Sequence, residues 1–503
     1  MIDLAALSDA LSLLASNPFA WLVVPIGLMI GLVFGVLPGL SVPIAMAVFL
    51  PFTLYMDFLS AILFLTAIFT GGGFGGSVPA ILMNVPGTTA AIATCFDGYP
   101  MSRQGRHNEA LGLALAASTV GTIIGYALLF VILEPISRLV LKLGAPELFL
   151  IALAGLFLIA ALSGKYFWRG VLAGALGLMI GTIGMSSSGI MRGTMGSMWM
   201  LDGISTTAAI IGLFAASEIF ALVKSEYIVA DAGARQVRIS LIARGFFQAF
   251  RNWYLILRGG LIGALVGTVP GVGSTVANLV SYSYARSRSP NRESFGKGHP
   301  EGVIAAESAN SSSEGGSMVA LLALGIPGGA GTAIMLGAFA MHNVTGGPRF
   351  ISDNKDIVYA IIGGNLVQAL LLAGMGLLFL RVAVTIVKVP LKFLLPVITT
   401  LTVLGSYAVS NSMVGPITLA AAAILGLIMK HYNYPVVAMV IGLLLGSMME
   451  GNLLRTWQLS RGDLTIFLER PISLGLVIAL ALAVLVPLAM KRLKARAIPT
   501  PEG

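Results

Sequence analysis

Residues 259–280 read GGLIGALVGTVPGVGSTVANLV, and residues 27–48 read GLMIGLVFGVLPGLSVPIAMAV. Gly27, Gly31, Gly35 and Gly39 return as Gly259, Gly263, Gly267 and Gly271, and Pro38 returns as Pro270, all at an offset of 232. Glycine at every fourth residue is a close-packing stripe on a helix. That does not explain the Pro-Gly closing each stripe, which frees backbone groups that hydrocarbon cannot satisfy. A second pair follows: GGSVPAILMNVPGTTAAIA (75–93) is answered by GGSMVALLALGIPGGAGTAIM (315–335), with Pro86-Gly87 facing Pro327-Gly328. Two broken elements, in the same order in each half, imply an internal repeat. Broken helices at membrane depth survive only against protein or a watery cavity, and such pairs point to a transporter's central binding site.

Composition places these breaks in a membrane. Of 503 residues, 57% are hydrophobic and 10% charged, and mean hydropathy is +0.93; a soluble domain carries about a quarter charged residues. Apolar runs at 110–133, 146–163, 206–223, 357–380 and 471–490 are each near the ~20 residues that cross a bilayer core as helix. The expected fold is an all-α polytopic membrane protein, about 11 transmembrane helices plus two re-entrant hairpins in two inverted repeats. The hairpins are 19–56 and 254–285, with tips at Pro38-Gly39 and Pro270-Gly271; 57–95 and 301–341 then cross in opposite directions. Lys224, Arg235, Arg238, Arg244, Arg251 and Arg258, then Arg286, Arg288, Arg292 and Lys297, then the tail MKRLKAR mark cytoplasmic loops by the positive-inside rule. The net charge of +9 therefore reports orientation and not nucleic-acid binding, with the N-terminus outside and the C-terminus inside. Residues 1–17 hold Asp3 and Asp9 but no Lys or Arg, so no cleavable signal is expected.

The expected division is a first repeat at 1–223, a basic cytoplasmic linker at 224–258, a second repeat at 259–463, and a C-terminal helix and tail at 464–503. One similarity runs against inversion. GVLAGALGLMIGTIG (170–184) resembles PVVAMVIGLLLGSMM (435–449), yet both are oriented the same way; an additional segment at 412–429 would account for it.

Catalysis has little support. His107, His299, His342 and His431 lack metal-ligand spacing, Cys95 is alone, and no zinc-protease, nucleophile-elbow or Walker run appears. No enzyme and no cofactor are expected, and with no nucleotide site, transport must draw on an ion gradient, Na⁺ or H⁺, or on partners. The breaks supply another chemistry. Helices restarting after Pro-Gly present N–H groups and a positive dipole end to an anion. Ser41, Thr88 and Thr89, Gly273, Ser274 and Thr275, and Gly329 and Thr332 follow those breaks. Their hydroxyls either donate to a ligand or bond back to their own helices. Carbonyls near Asn84 and Asn310 are candidate Na⁺ ligands. Residues 301–316, EGVIAAESANSSSEGG, are polar where the corresponding 57–70 are apolar, so they line a cavity or form a cytoplasmic surface. Glu307 and Glu314 share a helix face; Glu314 is expected at a solvated helix end, and Asn310, Ser311 and the other serines in a cavity.

The stretches GGSVPAILMNVPGTTAAIATCFDGYPMSRQG, GTVPGVGSTVANLVSYSYA, FGKGHPEGVIAAESANSSSEGGSMVALLALGIPGGAGTAIMLGAF and GLLLGSMMEGNLLRTWQLSRGD resemble the large membrane subunit of the tripartite tricarboxylate transporter family, over about 20–465. The resemblance implies a carrier in the bacterial inner membrane, working with a small membrane subunit and a periplasmic solute-binding protein to import citrate or related carboxylates with sodium or protons. Pro38-Gly39, Pro270-Gly271, Asn84 to Thr89, Glu307 to Asn310 and Gly325 to Thr332 fall in the family's motifs. Residues 311–314, SSSE, depart from them, where small or amide residues are more usual. The alternative is a self-sufficient secondary carrier or exporter of another small organic metabolite.

Overall fold

A computed structural model describes residues 3–37, 40–140, 142–162, 167–186, 190–197, 200–201, 203–217, 237–270, 272–386 and 391–481. Apart from one two-residue antiparallel pairing, Gly184–Met185 with Met191–Arg192, the regular structure there is helical. Asp3 caps α1 (Leu4–Ser16) through Ala6 N, and Asn17, followed by Pro18, caps α2 (Pro18–Val36). After the first Pro-Gly come α3 (Val42–Phe49), a 3₁₀ turn (Leu50–Tyr55), and α4 (Phe58–Gly75), which Asp57 caps through Ser60 N. Then follow α5 (Ser77–Met83), α6 (Ile92–Arg103), α7 (His107–Val140), α8 (Ala145–Leu162), α9 (Phe167–Gly181) and α10 (Thr206–Ile211). The second half contributes α11 (Ile239–Ala249), α12 (Trp253–Gly267), α13 (Gly273–Arg288), α14 (Pro300–Leu324) and α15 (Ala330–Met341). It closes with α16 (Pro348–Asp353), α17 (Lys355–Ile386), α18 (Leu391–Ser410), α19 (Val414–His431), α20 (Val436–Leu459) and α21 (Ile466–Glu469).

Six helices among the described residues are long and apolar enough to cross a bilayer: Pro18–Val36, Phe58–Met83, His107–Ile136, Lys355–Ala383, Val414–His431 and Val436–Leu459. The protein is a multi-pass, all-α membrane protein. Helix α14 is too polar for that group, yet every residue from Gly302 to Ala323 is buried. The expected solvated end at Glu314 is therefore wrong: its side chain is 4% exposed. Small residues bury it. The positions where Gly121 and Gly125 of α7 would carry a β-carbon lie against the backbones of Ser308 and Ser312, and Gly263 and Gly267 of α12 lie against Ala309 and Ser313. With glycine on one side and serine or alanine on the other, neighbouring backbones approach to near contact.

The glycine stripes make the same contacts twice. Gly27, Gly31 and Gly35 face the carbonyls of Phe64, Ile68 and Gly72 on α4, while Gly259, Gly263 and Gly267 face those of Ala305, Ala309 and Ser313 on α14. These partners stand at a common offset of 241, from 64 to 305 and from 72 to 313. Both series rise together, so α2 runs parallel to α4, and α12 to α14. The segment between each parallel pair must therefore return the chain to the face it came from. By contrast α4 and α14 run antiparallel: Asn310 reaches Gly73 while Glu314, further on, reaches Thr70.

Contacts divide the chain into two compact units, Met1–Arg138 with Ser205–Ile428, and Leu139–Ile204 with Met429–Gly503. The second unit draws one stretch from either side of 224–258, while the first contains it within Ser205–Ile428. The described part of that basic stretch belongs to the first unit. There Arg238 N donates to Asn108 Oδ1 at 2.9 Å and Gln248 Nε2 to Glu109 Oε1 at 3.0 Å, fixing α11 to the start of α7. In the second unit α9 lies against α20: Gly177 faces the Met439 carbonyl, Gly181 that of Leu443, and Gly442 that of Gly174. These contacts rise together, so the similar segments 170–184 and 435–449 run in one direction. Buried Glu147 ties α8 to the C-terminal region, accepting from Gly144 N at 2.7 Å, Arg470 Nε at 2.6 Å and Ser473 Oγ at 2.6 Å.

Candidate functional site

The site lies in the first unit, around the crossing of α4 and α14. Helix α5 ends on Asn84 (φ 60°) and α14 on Gly325 (φ 70°), both left-handed, a conformation open to glycine and, among other residues, mostly to Asn and Asp. In each case the next N–H reaches back six residues, Val85 to Pro79 O and Ile326 to Ala320 O, both at 3.4 Å, the pattern of a Schellman closure. The chain then doubles back. Gly87 N donates to Gly76 O at 3.1 Å, and Gly328 sits so close to Ser317 that a β-carbon would fall 2.8 Å from its Cα. Both Pro-Gly breaks thus return to within a few residues of the crossing.

The turn between α12 and α13 meets both breaks. Thr275 Oγ1 donates to Thr89 Oγ1 at 3.0 Å, and a β-carbon on Gly329 would lie 3.6 Å from the Cα of Gly273. Each of these residues stands where a helix begins: Thr89 opens the 3₁₀ turn leading into α6, Gly273 opens α13, and Gly329 caps α15. Three helix starts therefore lie close together, with no carboxylate or basic side chain at Thr89, Gly273, Thr275 or Gly329 themselves. Helix starts carry the positive end of the backbone dipole.

The other expected residues distribute unevenly. Pro38, Gly39 and Gly271 lie outside the described residues. Pro270, Ser274 and Ser41 are half-buried, and Ser41 makes no cap hydrogen bond with its side chain. Thr88 is buried and Thr89 exposed; Pro86 is half-buried, and Gly87, Pro327 and Ser311 are buried. The hydroxyl of Thr332 is committed locally, accepting from Gly329 N at 3.0 Å and donating to Gly329 O at 3.1 Å. Asn84 is an exposed helix cap, whereas Asn310 is buried and donates to Gly73 O at 3.3 Å and to Glu307 Oε2 at 3.5 Å. No hydrogen bond joins these two amides, expected together as a Na⁺ region, among the described residues.

A polar lattice behind the breaks was not foreseen. Glu307 accepts from Thr94 Oγ1 in a very short contact and from Ser118 Oγ at 3.1 Å. Asn278 accepts from Ala93 N at 3.0 Å and donates to Ala306 O at 3.1 Å. Asp97, fully buried, accepts from the N–H groups of Gly296, Gly298 and His299 at 2.8, 2.9 and 2.7 Å and from the Tyr282 hydroxyl at 2.8 Å. Thr94 and Asp97 stood in plain view beside the first break. Thr70 and Tyr126, which bind Glu314, are single polar residues in apolar runs, and only an intramembrane acid in need of partners could have drawn attention to them.

A family model described as "Tripartite tricarboxylate transporter TctA family" matches residues 21–441. The chain belongs to that family. As a member of this transporter family it is a transport subunit, one of several in a tripartite system. It is 30% identical over 453 residues, 90% of each chain, to an "Uncharacterized 52.8 kDa protein in TAR-I ttuC' 3'region" of Agrobacterium vitis. It is also 32% identical over 228 residues to an "Uncharacterized protein in TAR-II ttuC' 3'region" of the same organism, covering 45% of this chain and 94% of that one. No solved structure matches it.

Proposed function

We propose that this chain is the translocating membrane subunit of a binding-protein-dependent, cation-coupled secondary transporter importing tricarboxylates of the citrate kind or related carboxylates. The observation that carries this reading is the meeting of helix N-termini at Thr89, Gly273 and Gly329, a site for an anion reached by breaks that hydrocarbon would not tolerate. On this reading the halves are inverted repeats. Supporting it are the glycine contacts repeated at one offset and the antiparallel crossing of corresponding helices α4 and α14. About 11 crossings and two hairpins place the N-terminus in the periplasm and the C-terminus in the cytoplasm of a bacterial inner membrane. A periplasmic solute-binding protein delivers the carboxylate and a small membrane subunit completes the assembly.

Coupling follows from charge. An anion entering an inside-negative cell is opposed by ~2.3 kcal/mol per charge per 100 mV, so Na⁺ or H⁺ must accompany it. The test is uptake of labelled citrate by vesicles holding both membrane subunits, with and without the binding protein and an imposed cation gradient. Uptake should require both, and accumulation by this chain alone without a gradient would contradict the reading. A hydrogen bond to a charged ligand contributes about 1.5–3 kcal/mol, so Thr89→Val and Ser274→Ala should each weaken apparent affinity by roughly tenfold or more. Unchanged affinity in both would move the site elsewhere.

A further inference from the structure

We propose that Glu314, held between Thr70 and Tyr126, is a proton-binding site of the transport unit, and that the proton it takes up is the cation that travels with the substrate. The inference rests on the carrier reading above and adds to it the identity of the coupling ion and the residue that holds it. Glu314 lies at the crossing of α4 and α14, 4% exposed. Tyr126 OH donates to Oε1 at 2.8 Å, and Thr70 Oγ1 stands 3.0 Å from Oε1 and 2.9 Å from Oε2.

That geometry suits the neutral acid. A threonine hydroxyl has one proton to give and two lone pairs to receive. With Tyr126 donating to Oε1, the contact at Oε2 is satisfied when the carboxyl's own O–H donates to Thr70 Oγ1. No countercharge is at hand for the anion. Among the described residues Tyr126 is the one titratable group that interacts with Glu314. Helices α12 and α4 present glycines and Thr70 to this stretch, and α6, α13, α15 and α16 contribute no group to it. Glu307, two turns earlier on α14, is engaged by Thr94, Ser118 and Asn310. A bare carboxylate with hydroxyl partners alone is expensive away from water, and such a group neutralises by taking up a proton. Gly73, one turn beyond Thr70 on α4, is half-buried and faces open space. The step is simple to balance: the carboxylate takes a proton on the side where substrate binds and gives the same proton up on the other.

The test uses vesicles containing the full chain with its small membrane subunit, supplied with the binding protein, an internal pH dye and labelled citrate. A step of one pH unit is worth about 1.4 kcal/mol per coupled proton, or about tenfold in accumulation. Wild type should show that gain together with proton movement. Glu314→Gln keeps the shape and most hydrogen bonds; it should lose the tenfold gain and the proton movement but still exchange citrate across vesicles at equal concentrations. A variant that accumulates citrate under the pH step as wild type does would overturn the assignment. So would wild-type accumulation driven by sodium without proton movement, which would leave the carrier reading intact. Should wild type exchange no citrate at all, the carrier reading fails, and infrared difference spectra of the purified protein still decide the proton site. A carboxylic-acid band that fades as pH rises and is missing in Glu314→Gln supports it; a band insensitive to pH, or no band, overturns it.

Discussion

A β-carbon on Gly263 would press on the backbone of Ala309 and the hydroxyl of Ser312, whereas nothing lies within 4 Å of one on Gly374. Both glycines are helical, so the same substitution separates packing from propensity. Gly374→Ala should raise thermal stability by roughly 0.5–1 kcal/mol, and Gly263→Ala should lower it and reduce the yield of folded protein in detergent. Equal effects would mean that the stripe is not a contact surface. Asp97 allows a second measurement. Asp97→Ala strands three backbone N–H groups and the Tyr282 hydroxyl, a loss on the order of 3 kcal/mol that should appear as a lower melting temperature and faster proteolysis within 289–299. The glycines were legible in the sequence because their spacing is periodic and repeated. Asp97 is not legible in the same way, since its partners are main-chain groups about 200 residues away that no side-chain pattern records.

The two helix ends at Asn84 and Gly325 look interchangeable by backbone angle and are not. Asn84 is exposed, so Asn84→Gly should leave stability and cation dependence as they are, while Asn84→Val should lose about 1–2 kcal/mol to the left-handed strain. If Asn84→Gly abolishes the response to the coupling cation, the amide is a ligand and not a cap. At Gly325 a β-carbon would come within 2.8 Å of the Gly346 carbonyl, so Gly325→Asn should be harmful despite the matching φ. Thermal shifts of the purified variants separate these cases. The breaks themselves were readable, because Pro and Gly announce where a helix stops. The course of the chain after them was not. Doubling back depends on Gly87 finding Gly76 and Gly328 finding Ser317, and both contacts are made through backbone. Helix α14 shows the converse difficulty: its acids and serines read equally as a cavity lining or a cytoplasmic surface, with Glu314 at a solvated end, and only the glycines of α7 and α12 reveal that they are enclosed.

At the scale of the whole chain, orientation is the property to measure first. Cys95 is buried, so cysteines introduced at exposed Asn291 and Thr345 can be labelled against a quiet background. An impermeant reagent should reach position 291 only in inside-out vesicles and position 345 only in intact cells; the reverse pattern, or one shared side, would refute the topology. The enclosed helix α14 also bears on how the protein is made. Ionised side chains such as Asp or Lys near a helix centre each cost about 2.5–3.5 kcal/mol at insertion, so a segment with Glu307, Asn310, Glu314 and four serines from Ser308 to Ser313 is a poor candidate to leave the translocon alone. The groups outside α14 that bind its two acids and Asn310 are Thr70, Gly73, Thr94, Ser118 and Tyr126, and every one precedes it in the chain. When α14 leaves the ribosome, those partners have already been synthesised. The N-terminal half therefore acts as the receptacle into which α14 is laid down, and a ribosome stalled just after α14 should release it into the bilayer only when residues before 138 are present in the same nascent chain.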